Sequence, residues 1–228
     1  MLFRSYGVGA TLPTAGDMTY TGHTFVGWYD NENLTGSPVT AIGGTETGNK
    51  EYWAKWEANT YTVTLNTNGG TINSGNVTGY TYGVGATLPT ADDMTYTGYT
   101  FKGWYDNEGL TGFPVTAISD TETGNKEYWA KWEANAYTVT LNTNGGTINN
   151  GNVTEYTYGV GATLPTDVTR TGYTFKGWYD NENLTGSPVT AIGDTETGNK
   201  EYWAKWEINQ YTVTVKPENG EADRKSVV

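Results

Sequence analysis

What most constrains this chain is that it copies itself. The stretch YTVTLNTNGG runs from Tyr61 to Gly70, recurs letter for letter from Tyr137 to Gly146, and returns as YTVTVKPENG at Tyr211. The steps between these starts are 76 and 74 residues (137 − 61 and 211 − 137). The two missing residues are found where LPTADDMTYTGYTF, Leu88 to Phe101, becomes LPTDVTRTGYTF, Leu164 to Phe175; the segment between Pro165 and Gly172 is therefore a tolerant loop. The first copy begins at its middle, because YGVGATLPT at Tyr6 matches Tyr82 and Tyr158 while Met1 to Ser5 matches nothing clearly. The chain thus divides into residues 1–60, a repeat lacking its first strand; 61–136 and 137–210, two complete repeats; and 211–228, the first strand or hairpin of a further one. A second register, 6–81, 82–157 and 158–228, makes YTVTVKPENGEADRKSVV a closing hairpin that turns at Asn219-Gly220. Solenoid repeats span about 20 to 50 residues and cannot bury a core singly, whereas about 75 residues can form a small domain. The expected arrangement is a string of independent modules.

Within a repeat, Tyr61, Val63 and Leu65 alternate with Thr62 and Thr64, the period of a half-buried strand. Asn-Gly-Gly follows, a sequence that tolerates positive φ, so the strand is expected to turn and return along NVTGYTYG, Asn76 to Gly83. VGATLPT is expected to form a short, weak helical turn, and YTFKGWYD and NKEYWAKWE read as aromatic strands. On strand alternation Tyr128, Ala130 and Trp132 share one face, while Trp104 falls opposite its inward neighbours. A bulge at Gly103 is expected to turn Trp104 inward and leave Trp129 partly exposed.

Composition closes off several function classes. The 228 residues include 31 Gly, 9 Trp and 18 Tyr, which favours a β-rich protein whose core is drawn largely from aromatics. A net charge of −12 repels phosphate backbones and anionic lipid, arguing against nucleic acid and against membrane insertion. Cysteine is absent, which excludes disulfides and thiolate metal sites. No apolar run approaches the roughly 20 residues of a membrane span, and Met1 opens no basic-then-apolar leader. The chain reads as a soluble one, or as a piece of a longer exported protein.

The blocks YTVTLNTNGG, YGVGATLPT, GYTFKGWYDNE and EYWAKWE together resemble the Listeria-Bacteroides repeat, also called the internalin B-type repeat. In that family a unit opens with Tyr-x-Val and an Asn-Gly-Gly turn, carries Gly-Tyr-x-Phe-x-Gly-Trp-Tyr, and closes on Tyr-Ala-Lys-Trp. Here EYWAKW keeps the closing block with Trp in place of its Tyr, and the likeness extends from Tyr6 to about Val215. The resemblance implies an α+β, β-rich fold of tandem small β-grasp (ubiquitin-like) modules on secreted or cell-surface bacterial proteins. It also implies no enzymatic activity, no cofactor, and an association with adhesion, virulence and contact with a host or neighbouring cell.

The residues able to carry chemistry each have a plainer role as well. The one histidine, His23, stands where the other copies have Tyr99 and Tyr173, so a triad or a His metal site would exist in one copy only. Asp30 with Glu32, Asp106 with Glu108 and Asp180 with Glu182 sit two residues apart in turn sequence, unlike carboxylates flanking a glycosidase cleft. DNENLTG and DTETGNKE lack the acceptor set of an EF-hand loop, so no metal is expected. The sequons at Asn33, Asn76, Asn152 and Asn183 carry meaning only in a eukaryotic secretory pathway. Lys55, Lys131 and Lys205, each between two Trp, are read as lysines reaching to solvent, with a cation–π contact or a Lys–Asn isopeptide bond as alternatives.

Two functional expectations remain. Tyr29, Trp53, Tyr105, Trp129, Tyr179 and Trp203 would form one aromatic platform per repeat, suited to a glycan or a protein surface. Tyr211, Val213 and Val215 would form a strand able to complete the first repeat of another copy, head to tail. The leading reading is a non-enzymatic spacer and multivalent adhesive array; its rival is a dedicated carbohydrate- or receptor-binding module.

Overall fold

The computed structural model of the chain describes residues 5–216. Ten main strands carry it: β1 (His23–Tyr29), β2 (Trp53–Ala58), β3 (Thr60–Asn66), β4 (Gly79–Thr81), β5 (Tyr99–Tyr105), β6 (Lys126–Ala134), β7 (Ala136–Asn142), β8 (Glu155–Thr157), β9 (Tyr173–Tyr179) and β10 (Lys200–Ile208). Strands β1 and β2 pair as a two-stranded sheet; the second repeat builds a sheet ordered β5-β6-β3-β4, and the third one ordered β9-β10-β7-β8. In both larger sheets the central pair is parallel, with Val63 to Asn66 beside Lys126 to Trp129 and Val139 to Asn142 beside Lys200 to Trp203. The strand opening at Thr60 therefore lies in the sheet formed by residues 99–134.

The alternation read from the sequence is what the strands bury. Val63 and Val139 are each 6% exposed while the flanking threonines face solvent. After each strand the chain turns through Asn68 and Asn144 at φ 50° and 49°, a conformation asparagine tolerates better than most residues. The second glycine of each Asn-Gly-Gly has another task. A Cβ on Gly70 would lie 2.1 Å from Trp132, and one on Gly146 would lie 2.2 Å from Trp206. Both indoles donate to the loop, Trp132 Nε1 to the Thr67 carbonyl and Trp206 Nε1 to that of Thr143, at 2.8 Å each. Asn68 Nδ2 and Asn144 Nδ2 return the contact to the carbonyls of Ala130 and Ala204. The opening and closing motifs of a repeat are thus one packed contact.

Trp104 turns inward as the bulge predicts. The register shifts between Phe25 and Gly27 and between Phe175 and Gly177, and the equivalent Gly103 has φ 127°. Trp104 and Trp178 are 1% and 2% exposed, and their indole N–H groups donate to the carbonyls of Pro89 and Pro165. Burying an indole costs little once its N–H is satisfied, which is why the GWY and LPT motifs travel together. Around them Tyr128, Ala130, Leu88 and Ile118 form one core, and Tyr202, Ala204, Leu164 and Ile192 the other.

The α+β expectation is overturned. The fold is nearly all β, with sheets curled into half-barrels, and neither a β-grasp module nor an α-helix forms among the described residues. The stretch expected to turn helically is extended instead: Ala86–Thr87 pairs with Ala117–Ile118, and Ala162–Thr163 with Ala191–Ile192. Gly and Thr carry too little helix propensity to offset these ladders. The nearest approach to a helix is a single 3₁₀ turn, Ala15–Asp17 and Ala91–Asp93, each closed by an aspartate accepting from the Thr backbone and hydroxyl. The third copy has Val168–Thr169 as a strand just after the corresponding site, where the two residues are deleted.

The string of beads is corrected with it. The chain forms two compact units whose limits cut across the repeats, Met1–Tyr96 with Phe101–Trp132, and Thr97–Thr100 with Glu133–Val228. Inside the first unit, Asn59 donates its N–H to the Gly22 carbonyl and accepts from Tyr82 N–H and from the Thr24 hydroxyl. Inside the second, Asn135 does the same with Gly98, Tyr158 and Thr100. The rings of Tyr82 and Tyr158 lie directly on Gly22 and Gly98, where a Cβ would approach ring atoms to 2.2 and 2.3 Å. A residue from one repeat is therefore clasped by a glycine of the preceding one, twice and in the same way.

Candidate functional site

The aromatic residues expected to form a platform share one face of each repeat, because Tyr29 stands opposite Trp53 and Tyr179 opposite Trp203 across their strand pairs. Their exposure differs. Tyr29, Tyr105 and Tyr179 are 5%, 7% and 6% exposed, while Trp53, Trp129 and Trp203 are half-buried. The tyrosines are covered partly by Lys55, Lys131 and Lys205, whose Nζ atoms lie 5.3, 5.1 and 4.8 Å from the ring centroids. The lysines expected to reach solvent thus lie along tyrosine faces, and Lys205 also donates to the Leu184 carbonyl. The surface open to a ligand reduces to the indole.

That indole stands at the rim of a depression. In the second repeat it has a volume of about 500 Å3 and is lined by Asp106, Glu122, Asn125, Lys126, Glu127 and Trp129, over a floor that includes Ile118. In the third the volume is about 450 Å3, lined by Asp180, Glu196, Asn199, Lys200, Glu201 and Trp203 over Ile192. The polar rim is internally tied. Lys126 pairs with Glu122 and Lys200 with Glu196, which holds both ammonium groups above the ordinary lysine range. Asn125 and Asn199 accept from the N–H of Thr62 and Thr138, and Glu127 and Glu201 accept from Asn66 and Asn142. The first strand of the repeat therefore sets the rim of its own depression, a link that strand alternation alone did not reveal.

Other candidates take structural places. His23 stacks on Tyr20 at 4.1 Å, meets Tyr82 edge-on, and hydrogen-bonds the Thr21 carbonyl through Nδ1. Asp30, Asp106 and Asp180 each accept from the following asparagine, whose side chain also binds the backbone and hydroxyl of a threonine four residues on. This closes the loop in which Leu34, Leu110 and Leu184 hold φ between 51° and 55°. Among the described residues no three His, Asp or Glu side chains converge to hold a metal ion. Tyr211, Val213 and Val215 are 74%, 65% and 63% exposed and belong to no strand among the described residues.

The model of the Listeria-Bacteroides repeat domain matches residues 4–55, 61–131 and 137–205. This chain belongs to that family. The Listeria-Bacteroides repeats here are also similar to longer proteins of Evansella cellulosilytica. One, provisionally named a Gly-rich membrane protein, is 36% identical over 94% of this chain and 24% of its own length. Another, provisionally named a membrane protein, is 37% identical over 74% of this chain and 24% of its own length. The chain spans about a quarter of the length of these relatives. No solved structure matches it. Among the described residues, no helix is long and apolar enough to cross a membrane.

Proposed function

We propose that these Listeria-Bacteroides repeats form part of a bacterial surface or secreted protein, where they act without catalysis as a spacer and a multivalent interaction module. The observation that carries this reading is the recurrence of one indole-rimmed, mixed-charge depression at equivalent positions in both complete repeats. The membrane-protein names of the relatives support the surface placement. An open depression with one half-buried indole offers a shallow, weak contact, and weak contacts in series gain avidity of about 10²- to 10⁴-fold when one target engages several at once. The adhesive role and the likeness to the internalin B-type repeat belong to this same reading.

A second reading is a dedicated carbohydrate- or host-receptor-binding module, favoured by the half-exposed Trp129 and Trp203 beside carboxylate and amide groups that can meet sugar hydroxyls. A glycan array probed with the whole chain separates the two. Sugar-specific binding lost in Trp129→Ala with Trp203→Ala supports the second reading. A flat array, together with retained binding to bacterial or host cells that the same double substitution abolishes, supports the first. Binding unaffected by either substitution removes the depression from both.

A further inference from the structure

We infer that Asn150 is a site of self-modification, at which the backbone nitrogen of Gly151 attacks the Asn150 side-chain amide and the asparagine becomes aspartate or isoaspartate. The described residues hold three Asn-Gly pairs: Asn68-Gly69, Asn144-Gly145 and Asn150-Gly151. A glycine has no Cβ to shield its own nitrogen, so sequence alone opens all three pairs to this chemistry. The fold sets one of them apart.

At Asn150 the reacting groups are already in contact. Gly151 N–H donates to Asn150 Oδ1 at 2.8 Å, which brings the nitrogen against the side-chain carbonyl and draws electrons from its carbon. Asn150 is exposed, in the loop between Thr147–Ile148 and β8, where water and base reach it. A Cβ on Gly151 would meet only Pro165, at 3.9 Å, so nothing crowds the approach.

At Asn68 and Asn144 the same amide is held elsewhere. Their Nδ2 atoms donate to the carbonyls of Ala130 and Ala204 at 2.8 and 2.9 Å, and the indoles of Trp132 and Trp206 close the same loops on Thr67 and Thr143. The amide nitrogen cannot leave, nor Cγ swing toward the glycine, until that contact opens. In the second repeat Ser74 stands where the third has Asn150, and its hydroxyl is bonded to Asp93. The second repeat is therefore an internal control without the reactive amide.

The chemistry balances with water as the one co-reactant. Base removes the Gly151 N–H proton, the nitrogen bonds to Asn150 Cγ, and the Cγ–Nδ2 bond breaks as Nδ2 takes a proton from solvent and departs as ammonia. Water then adds to one of the two carbonyls of the resulting ring. Addition at Cγ leaves aspartate; addition at the main-chain carbonyl leaves isoaspartate, which routes the backbone through the side chain. Nothing is oxidised or reduced. Either product adds one negative charge to the −12 of the chain.

The test is incubation of the folded full chain in mildly alkaline buffer, with proteolytic peptides resolved by chromatography and mass spectrometry over time. Opening the hydrogen bonds of the strand contact first should slow Asn68 and Asn144 by roughly 10-fold relative to Asn150. Isoelectric focusing of the intact chain should show an acidic species growing at the rate of the Asn150 peptide. Asn150→Ser, the residue of the second repeat, should remove that peptide's conversion while circular dichroism shows the fold retained. In urea the three pairs should convert at similar rates, because only the fold distinguishes them. Equal rates in the folded chain overturn the inference, as does an Asn150 that stays unconverted while Asn68 or Asn144 reacts. A ranking that persists in urea also overturns it, since local sequence and not the fold would then select the site. None of these outcomes depends on ligand binding at the indole-rimmed depression.

Discussion

Gly98 and Gly172 occupy the same position in successive repeats and hold nearly the same backbone, φ 77° and 80°. Their surroundings differ, because Tyr158 lies on the first and nothing lies within 4 Å of a Cβ on the second. Alanine at either site pays the left-handed penalty of about 1 to 2 kcal/mol. At Gly98 it must also displace a ring, an overpacking cost of about 1 to 3 kcal/mol more. Urea unfolding of Gly98→Ala and Gly172→Ala should therefore rank Gly98→Ala as the more destabilised. Equal losses would mean that the tyrosine clasp contributes nothing. The buried phenols give a second prediction at this scale. Burial is the first cause that pushes Tyr80, Tyr128, Tyr156 and Tyr202 above the ordinary tyrosine range. Their folded pKa exceeds the unfolded value of about 10, so their contribution is complete below that pH and is lost as pH rises through the folded value. Phenolate absorbance should show these four phenols ionising above the ordinary tyrosine range together with unfolding, and replacing one of them by Phe should remove that part of the late absorbance change.

The strand and its turn act as one element with the closing strand of the same repeat. Gly145 and Gly146 are adjacent, yet only Gly145 has positive φ, at 86°, with the nearest atoms to a Cβ at 3.6 Å. Gly146 has no such φ but would place a Cβ 2.2 Å from the Trp206 ring, whose N–H is bound to Thr143. Backbone conformation alone ranks Gly145→Ala as the more harmful. Packing ranks Gly146→Ala first, at about 1 to 3 kcal/mol with the indole forced off the loop. Thermal denaturation of the two variants, followed by tryptophan fluorescence, distinguishes the rankings. This contact is also why YTVT strands were legible while their partners were not. Alternation shows which residues of Tyr61 to Leu65 face inward, but it does not show that the inward face meets Tyr128 through a parallel pairing some 60 positions away.

Across the whole chain, 25 acidic against 13 basic residues leave a net charge of −12. Ion pairs such as Lys176 with Glu207 lie at the surface, where each contributes little. The sum is self-repulsion, which salt relieves as the screening length falls from about 30 Å at 0.01 M to about 8 Å at 0.15 M. The melting temperature should rise over that interval, measured by differential scanning calorimetry. A falling melting temperature would mean that the attractive surface pairs outweigh the net charge.

The sequence by itself determined the repeat, its strands, its turns, the inward tilt of Trp104 and the family, because these follow from periodicity and local backbone preference. It misled on the helix, since VGATLPT has no strong local preference and takes the conformation that its partners at Ala117–Ile118 and Ala191–Ile192 impose. Only the tertiary structure decided that Tyr29, Tyr105 and Tyr179 lie beneath lysines, because that depends on which side chains reach across a strand pair to meet them. It also decided where YTVTL belongs. Val63 is buried because β6 lies beside it, and Val139 because β10 does.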